Sequence, residues 1–352
     1  MATADMKKLA EFLSIGRTGA EIAKQFSLSK EAVENLLTKQ FNGYELLHSK
    51  NENGEIIFRL ASKKAPLIVA PKIWKYDIAK DRSGRMQPYI LVVIPDDTPG
   101  NQIKIYPLGD IHYGAKGHDS EAFKAYVKLI ADKKHAFFVL IGDVIENALA
   151  SSVGGSIYEQ VMPPSQQIEE VREIFRPIAH KCLTAIPGNH EGRTPKIANI
   201  DPLKLGICDP LDIPYFDEPA YLDIFWRGNV YTFFMQHGAS GAQTKGGKLN
   251  AASRPLSTNE HTMFTIMGHV HDPTSGKNVK RCIELIHNEA GEIININIVK
   301  RIEYVVICPA TYRHLGTYGA RAGYNPTAQN MEIACVLLDD GKYYLERKEL
   351  PK

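Results

Sequence analysis

From Ile103 onward, short apolar runs and amphipathic stretches alternate along the chain. Ile103 to Leu108 is an apolar run closed by Gly109-Asp110-Ile111-His112, and Ser120 to Lys133 then repeats its apolar positions at helical spacing. Phe137 to Ile141 is a second run, closed by Gly142-Asp143-Val144-Ile145-Glu146, and Gln166 to His180 is again helical in period. Cys182 to Ile186 is a third run and drives into Pro187-Gly188-Asn189-His190-Glu191. Apolar runs of this length, stopped by Gly or Pro-Gly, predict buried strands. Their alternation with helices predicts a sheet with helices on its faces. In such sheets ligands gather at the carboxyl ends of the strands, where each polar motif falls. Beyond this the pattern turns more β-like. Val230 to Gln236 ends at His237-Gly238, and Phe264 to Met267 ends at Gly268-His269-Val270-His271. Hairpin-like strands are expected at Arg281 to His287 and Glu292 to Lys300, with another at Glu303 to Ile307. Ile333 to Leu338 and Lys342 to Glu346 are joined by an Asp-Asp-Gly turn.

Upstream, the period is helical. Met6 to Leu13, Thr18 to Phe26 and a segment opened by Ser29 that holds Val33, Leu36 and Leu37 read as three helices, with Thr18 and Ser29 as caps. Tyr44 to Ser49 and Glu55 to Leu60, joined by Asn51-Glu52-Asn53-Gly54, read as a hairpin. Over residues 5 to 64 this pattern resembles a winged helix-turn-helix, so residues 1–64 are expected to form a small domain. Its third helix sets Lys30 and Lys39 against Glu31 and Glu34 and holds no arginine, a poor composition for entering a DNA groove. Docking of protein, or of the main domain, is the alternative use. Residues 65–102 contain Pro66, Pro71, Pro88, Pro95 and Pro99, with Lys72, Lys75, Lys80, Arg82 and Arg85 between them. They read as a linker with edge strands, Ile90 to Ile94 the clearest, whose charges make a solvated face. Residues 103–352 form the main domain.

The 352 residues suffice for two domains, and 44% hydrophobic with 23% charged residues describes an ordinary soluble globular protein. A net charge of +2 gives no argument for a polyanion or a membrane surface. No apolar run approaches the roughly 18 residues of a membrane span, and the polar N-terminus has no signal-peptide core. Cys182, Cys208, Cys282, Cys308 and Cys335 are far apart and form no C-x-x-C pair. Buried reduced thiols and a cytoplasmic setting are expected.

The groups at the strand ends are Asp110, His112, Asp143, Asn189, His190, His237, His269 and His271. All are oxygen or imidazole donors. Alternation in Asp110-x-His112 and His269-x-His271 would let two side chains leave one strand end on the same side, as chelation needs. One such pair is commonly structural. Five strand ends in succession closing with metal-type donors are not. Gly-Asp-x-His, Gly-Asp-x-x-Glu, Gly-Asn-His-Glu, His-Gly and Gly-His-x-His, in this order over about residues 103 to 310, resemble the calcineurin-like metallophosphoesterase family. The resemblance implies an α+β architecture: a two-sheet β-sandwich flanked by helices, with a binuclear metal site between the sheet ends, preceded here by the small winged module.

By that resemblance, Asp110, His112 and His271 correspond to ligands of a first metal, and Asn189, His237 and His269 to those of a second. Asp143 corresponds to the carboxylate between them, His190 to the general acid, and Glu146 to a carboxylate orienting that histidine; a solvated acid is the alternative for Glu146. Two divalent cations about 3.5–4 Å apart clamp a phosphoryl group and activate a water between them. The donor set suits Mn, Fe or Zn, with Mn²⁺ the working choice. His118 and Arg193 lie just beyond two motifs and are candidate phosphate contacts. Gly238 to Ser257, with Lys245, Lys248 and Arg254, reads as a Gly-rich pocket loop. Ala310 to Gln329 carries Tyr312, Arg313, His314, Tyr318, Arg321 and Tyr324. Interleaved aromatics and arginines suit bases and phosphates, with Arg313 and Arg321 as substrate contacts; self-packing or a homodimer contact is the alternative. Asn147 stands where protein Ser/Thr phosphatases of the superfamily carry an Arg clamp, which argues against that subfamily. The expected activity is phosphodiester hydrolysis in nucleic acid. A phosphomonoesterase or cyclic-nucleotide phosphodiesterase is a second reading, and a non-catalytic DNA-bound regulator a third. The domain pairing also resembles proteins of tailed phages and prophages, which would place the chain in a bacterial host's cytoplasm.

Overall fold

The computed structural model describes residues 13, 17–37, 44–50, 55–62, 72–74, 89–152, 157–217, 219–259, 261–313, 317, 320 and 331–350. The chain divides into two units, Met1–Val69 and Ala70–Lys352.

In the first unit, β1 (Arg17–Thr18) leads into α1 (Gly19–Phe26) and α2 (Lys30–Leu37). Thr18 caps α1 in a reciprocal box with Glu21, and Ser29 Oγ accepts from Ala32 N–H at the start of α2. Each such cap is worth about 1 kcal/mol. β2 (Tyr44–Lys50) and β3 (Ile56–Ser62) pair antiparallel, and β1 pairs with β3, giving a three-stranded sheet. The helix expected over Met6 to Leu13 lies outside the described residues except for Leu13, and the Asn-Gly turn lies outside them entirely.

The second unit contains two sheets. One has the order β15-β14-β6-β7-β8, from β6 (Gln102–Leu108), β7 (Ala136–Ile141), β8 (Cys182–Ile186), β14 (Met331–Leu338) and β15 (Tyr343–Glu349). The other has the order β12-β13-β11-β10-β9-β5-β4. It is built from β4 (Lys72–Trp74), β5 (Tyr89–Val93), β9 (Ala220–Trp226), β10 (Asn229–Gln236), β11 (Phe264–Met267), β12 (Ser275–His287) and β13 (Ile293–Ile307). Side-chain alternation explains how they stack. Ile103, Ile105, Phe137, Val139 and Ile141 point between the sheets and meet Leu222, Ile224, Trp226, Phe233 and Ile266. The intervening Tyr106, Leu108, Phe138 and Leu140 point the other way. They meet Phe123 and Tyr126 of α3 (Ser120–Asp132) and Val171 and Phe175 of α4 (Pro164–Phe175). Strands buried on both faces must be apolar throughout, hence the continuous runs in the sequence.

Two expectations are corrected, and one strand was missed. The Gly-rich stretch 238–257 is not all loop: Thr244 Oγ1 accepts from Gly247 N–H and caps α5 (Lys245–Ser253), whose Ala251 and Ala252 pack on Met267, Val305 and Ile307. The strands expected at Glu292 to Lys300 and Glu303 to Ile307 are one fifteen-residue strand, β13, because β12 pairs with it through the polar Lys300-Arg301 step. β9 was not legible, since its exposed face carries Asp223 and Phe225 among apolar neighbours.

Candidate metal centre

The parallel strands β6, β7 and β8 of one sheet and β10 and β11 of the other end on the same side, and their following loops converge. Asp110, His112, Asp143 and His271 offer ligand atoms within 4.8 Å of one another, as do Asp143, His237 and His269. Asn189 Oδ1 lies 3.1 Å from His237 Nε2 and 2.8 Å from His269 Nδ1. All seven ligand candidates therefore meet, with Asp143 shared by both groups. A third trio, His112, Glu146 and His190, satisfies the same distance.

The strands stop short of these residues, so the delivery is not the strand alternation expected from the sequence. Asp110, His112, Asp143, His269 and His271 all have positive φ, between 48° and 70°. Non-glycine residues avoid this left-handed region, at a cost of about 1–2 kcal/mol each. Such strain persists where surrounding contacts over-determine it and concentrates at functional sites. Two glycines make the approach feasible: a Cβ on Gly142 would lie 2.3 Å from Gly188 N, and one on Gly188 would lie 2.1 Å from Asp143 Oδ1.

Glu191, which the sequence left without a role, is the strut between these loops. Fully buried, its carboxylate accepts from the backbone N–H groups of Asp143 (2.9 Å), Val144 (2.7 Å), Ile145 (3.1 Å) and Gly188 (2.8 Å). Burial and the Asp143 carboxylate push its pKa up, while N–H donors such as Ile145 and Gly188 favour the ionised form. Sequence patterns could not reveal it, because all four partners are main-chain. Asn147 adds a second tie, its amide donating to His190 O (2.7 Å) and Thr194 Oγ1 (2.9 Å).

Outer contacts fix the imidazoles. His237 Nδ1 donates to Ile141 O at 2.7 Å, which turns Nε2 toward Asp143 Oδ2 at 3.2 Å. His112 Nδ1 lies 3.1 Å from Glu146 Oε2, turning its Nε2 toward Asp143 Oδ2 (3.6 Å) and His271 Nε2 (3.1 Å). A carboxylate or carbonyl behind an imidazole is the usual support of a metal-binding histidine. His190 Nδ1 lies 2.8 Å from Glu146 O and 3.4 Å from Glu146 Oε2, so Glu146 touches both histidines.

The electrostatics are strongly perturbed, as is common at functional sites. Burial pushes Asp110 up to about 7, with His237 pulling it back and Asp143 pushing it further. Burial works against ionised Asp143 too, yet His237, His190 and His112 hold it well below the usual carboxylate range. Against burial, Asp143 carries His237 up to about 10, while burial and the His237 charge take His269 down to about 4. Burial also opposes charge on His190, but Asp143 and Glu146 hold it above the ordinary imidazole value. Two buried carboxylates ringed by imidazole nitrogens, two of them 3.1 Å apart, form a donor set that fits divalent cations.

Among the candidate substrate contacts, Arg193 is at the centre: its guanidinium donates to Glu146 O (2.8 Å) and lies 2.9 Å from His190 Nε2. His118 sits behind the His112 loop, with Nδ1 2.8 Å from Ile111 O and its ring against Tyr113 and Phe123. Arg313 pairs with Asp119 at the start of α3. Arg321, His314, Tyr318 and Tyr324 lie outside the described residues. Tyr312 places its ring 4.6 Å from that of His112 and 5.3 Å from that of His271. In the former pocket loop, Lys248 is buried and paired with Asp272 at 3.2 Å.

A family model described as calcineurin-like phosphoesterase matches residues 103–291. Comparison with curated proteins gives no significant match.

Proposed function

Because the chain belongs to the calcineurin-like phosphoesterases, a family of hydrolases acting on phosphate esters, we propose that it cleaves phosphodiester bonds of nucleic acid. The observation that carries a metal-dependent phosphoesterase is the convergence of Asp and His donors from four strand ends, joined by Asn189 from a fifth. In the proposal, Asp110, His112 and His271 hold one divalent ion, Asn189, His237 and His269 hold a second, and Asp143 serves both. Bound there, two ions supply positive charge to the phosphoryl oxygens and lower the pKa of a water. Mn²⁺ is the first ion to try, with Fe and Zn as alternatives for the same donors. The chain's own groups do the rest. Arg193 faces the phosphate, and His190 gives a proton to the departing oxygen, its charged form favoured by Asp143 and Glu146.

Nucleic acid as substrate draws support from two features. Segment 157–161 runs beside the His112 loop, with Lys116 N–H donating to Glu159 O and Val161 N–H to Gly114 O. Its Tyr158 is 91% exposed, and in the proposal a base stacks on this ring. The first unit, with two helices and a three-stranded sheet among its described residues, is read as a winged helix-turn-helix that engages DNA or protein. The free cysteines suit a reducing cytoplasm.

Purified protein with Mn²⁺, assayed on single- and double-stranded DNA, bis-p-nitrophenyl phosphate and p-nitrophenyl phosphate, tests the proposal. Cleavage of DNA and the diester is expected. Turnover of the monoester alone would assign a phosphomonoesterase, and metal binding without any turnover would assign a regulator.

A further inference from the structure

β13 pairs with β11 only over Tyr304–Ile307, while β12 follows it from Ser275 to His287. Beyond Glu303 the two strands form a two-stranded arm, whose base is tied by Lys280 to Glu303 (2.8 Å) and to Leu256 O (3.3 Å). Two-stranded hairpins are marginal in water on their own. This one also exposes a row of apolar side chains along one face, interrupted once by the Arg281–Lys300 pair. Val279, Ile283 and Leu285 alternate along β12, opposite Ile302, Ile298 and Ile296 of β13, and Ile294 extends the row beside a bulge. The opposite face holds Lys280, Glu284, Asn295, Asn297 and Arg301 with the Cys282–Val299 pair among them, and Ile286 and Ile293 near the tip.

We propose that this face packs against the same face of a second copy, the two arms lying antiparallel about a two-fold axis at the Leu285–Ile296 pair. Size is one argument. Val279, Ile283, Leu285, Ile294, Ile296 and Ile298 are each 46 to 62% exposed. That amounts to about 100 Å² apiece and roughly 600 Å² per copy, approaching the roughly 800 Å² per partner of a stable interface before any rim is counted. Charge is the second. Arg281 lies four residues before Leu285 and Glu289 four after; Glu292 lies four before Ile296 and Lys300 four after. At strand spacing Arg281 and Lys300 stand about 13 Å to one side of the proposed axis, and Glu289 and Glu292 lie on its other side in the turn that closes the arm. An antiparallel pair of arms therefore sets the acidic tip of one beside the basic pair of the other, twice, as a two-fold interface requires. Covering the apolar face also removes an aggregation liability of an exposed two-stranded arm.

The test is sedimentation of the full chain across a concentration series, which should show a dimer. Ile296→Asp should give a monomer with the wild-type circular-dichroism spectrum and unchanged hydrolysis of the small diester. Reversing the tip (Glu289→Lys with Glu292→Lys) or the base (Arg281→Glu with Lys300→Glu) should each weaken dimerisation roughly tenfold or more. Mixing those two variants should restore a heterodimer. A monomer at all concentrations, a dimer indifferent to the arm variants, or a mixture that fails to pair would overturn the proposal. So would a monomer whose arm variants lose nucleic-acid affinity, which would assign the arm to that ligand instead.

Discussion

Replacing Glu191 by Gln changes one buried atom and tests how the centre is held. In the wild type, Oε1 accepts from Val144 and Ile145 N–H and Oε2 from Asp143 and Gly188 N–H. A glutamine keeps one acceptor, and its NH₂ group must face the other two N–H donors, whichever way the amide is turned. Two charge-assisted bonds disappear and two buried donors are orphaned, at about 1–3 kcal/mol per donor. The remaining pair weakens to neutral bonds. A total of about 3–5 kcal/mol follows, a large share of the roughly 5–15 kcal/mol that holds a domain folded. Because these donors belong to the loops of Asp143 and Asn189, metal affinity should fall together with stability. Denaturant unfolding of metal-loaded and chelated protein, with metal content by mass spectrometry, reads both. A Glu191→Gln protein that unfolds within about 1 kcal/mol of wild type and keeps its full metal content would refute the strut.

Three further outcomes follow from the same geometry. Gly188→Ala puts a Cβ 2.1 Å from Asp143 Oδ1 and 2.4 Å from Asp143 N, so the Asp143 loop must move with its carboxylate; metal content should drop while the circular-dichroism spectrum stays that of the wild type. An acid catalyst works below its own pKa, and Glu146 helps hold His190 above the ordinary imidazole value. Glu146→Gln should therefore move the alkaline limb of kcat to lower pH, and an unmoved limb would separate Glu146 from His190. Tyr158→Ala should raise KM for single-stranded DNA roughly five- to a hundredfold, the loss of one base stack, and leave hydrolysis of the small diester untouched; equal losses on both substrates would remove Tyr158 from base contact.

Much of the centre was legible because its chemistry sits in short motifs after apolar runs. Gly109-Asp110 and Gly142-Asp143 each announce a strand that stops and a carboxylate that follows. The backbone that aims those groups was not legible: period-2 reasoning placed Asp110 and His112 on one strand, whereas left-handed residues beyond the strand bring them together. Glu191 was invisible because a carboxylate serving main-chain donors leaves no spacing signature. Gly246-Gly247 hid α5, whose burial on β11 and β13 overrides their poor helix propensity. The length of β13 was hidden by Lys300-Arg301, polar residues that an antiparallel partner holds in register.

The central claim is that His190 donates a proton and is not a metal ligand, although it closes a trio with His112 and Glu146 at ligand distance. Metal content and single-turnover rate of His190→Ala, measured on one preparation, decide it. The account predicts two equivalents of metal, as in wild type, with cleavage of a poor-leaving-group diester slowed by about 10²–10⁴-fold. Loss of one equivalent of metal in parallel with the rate would contradict it and make His190 a ligand.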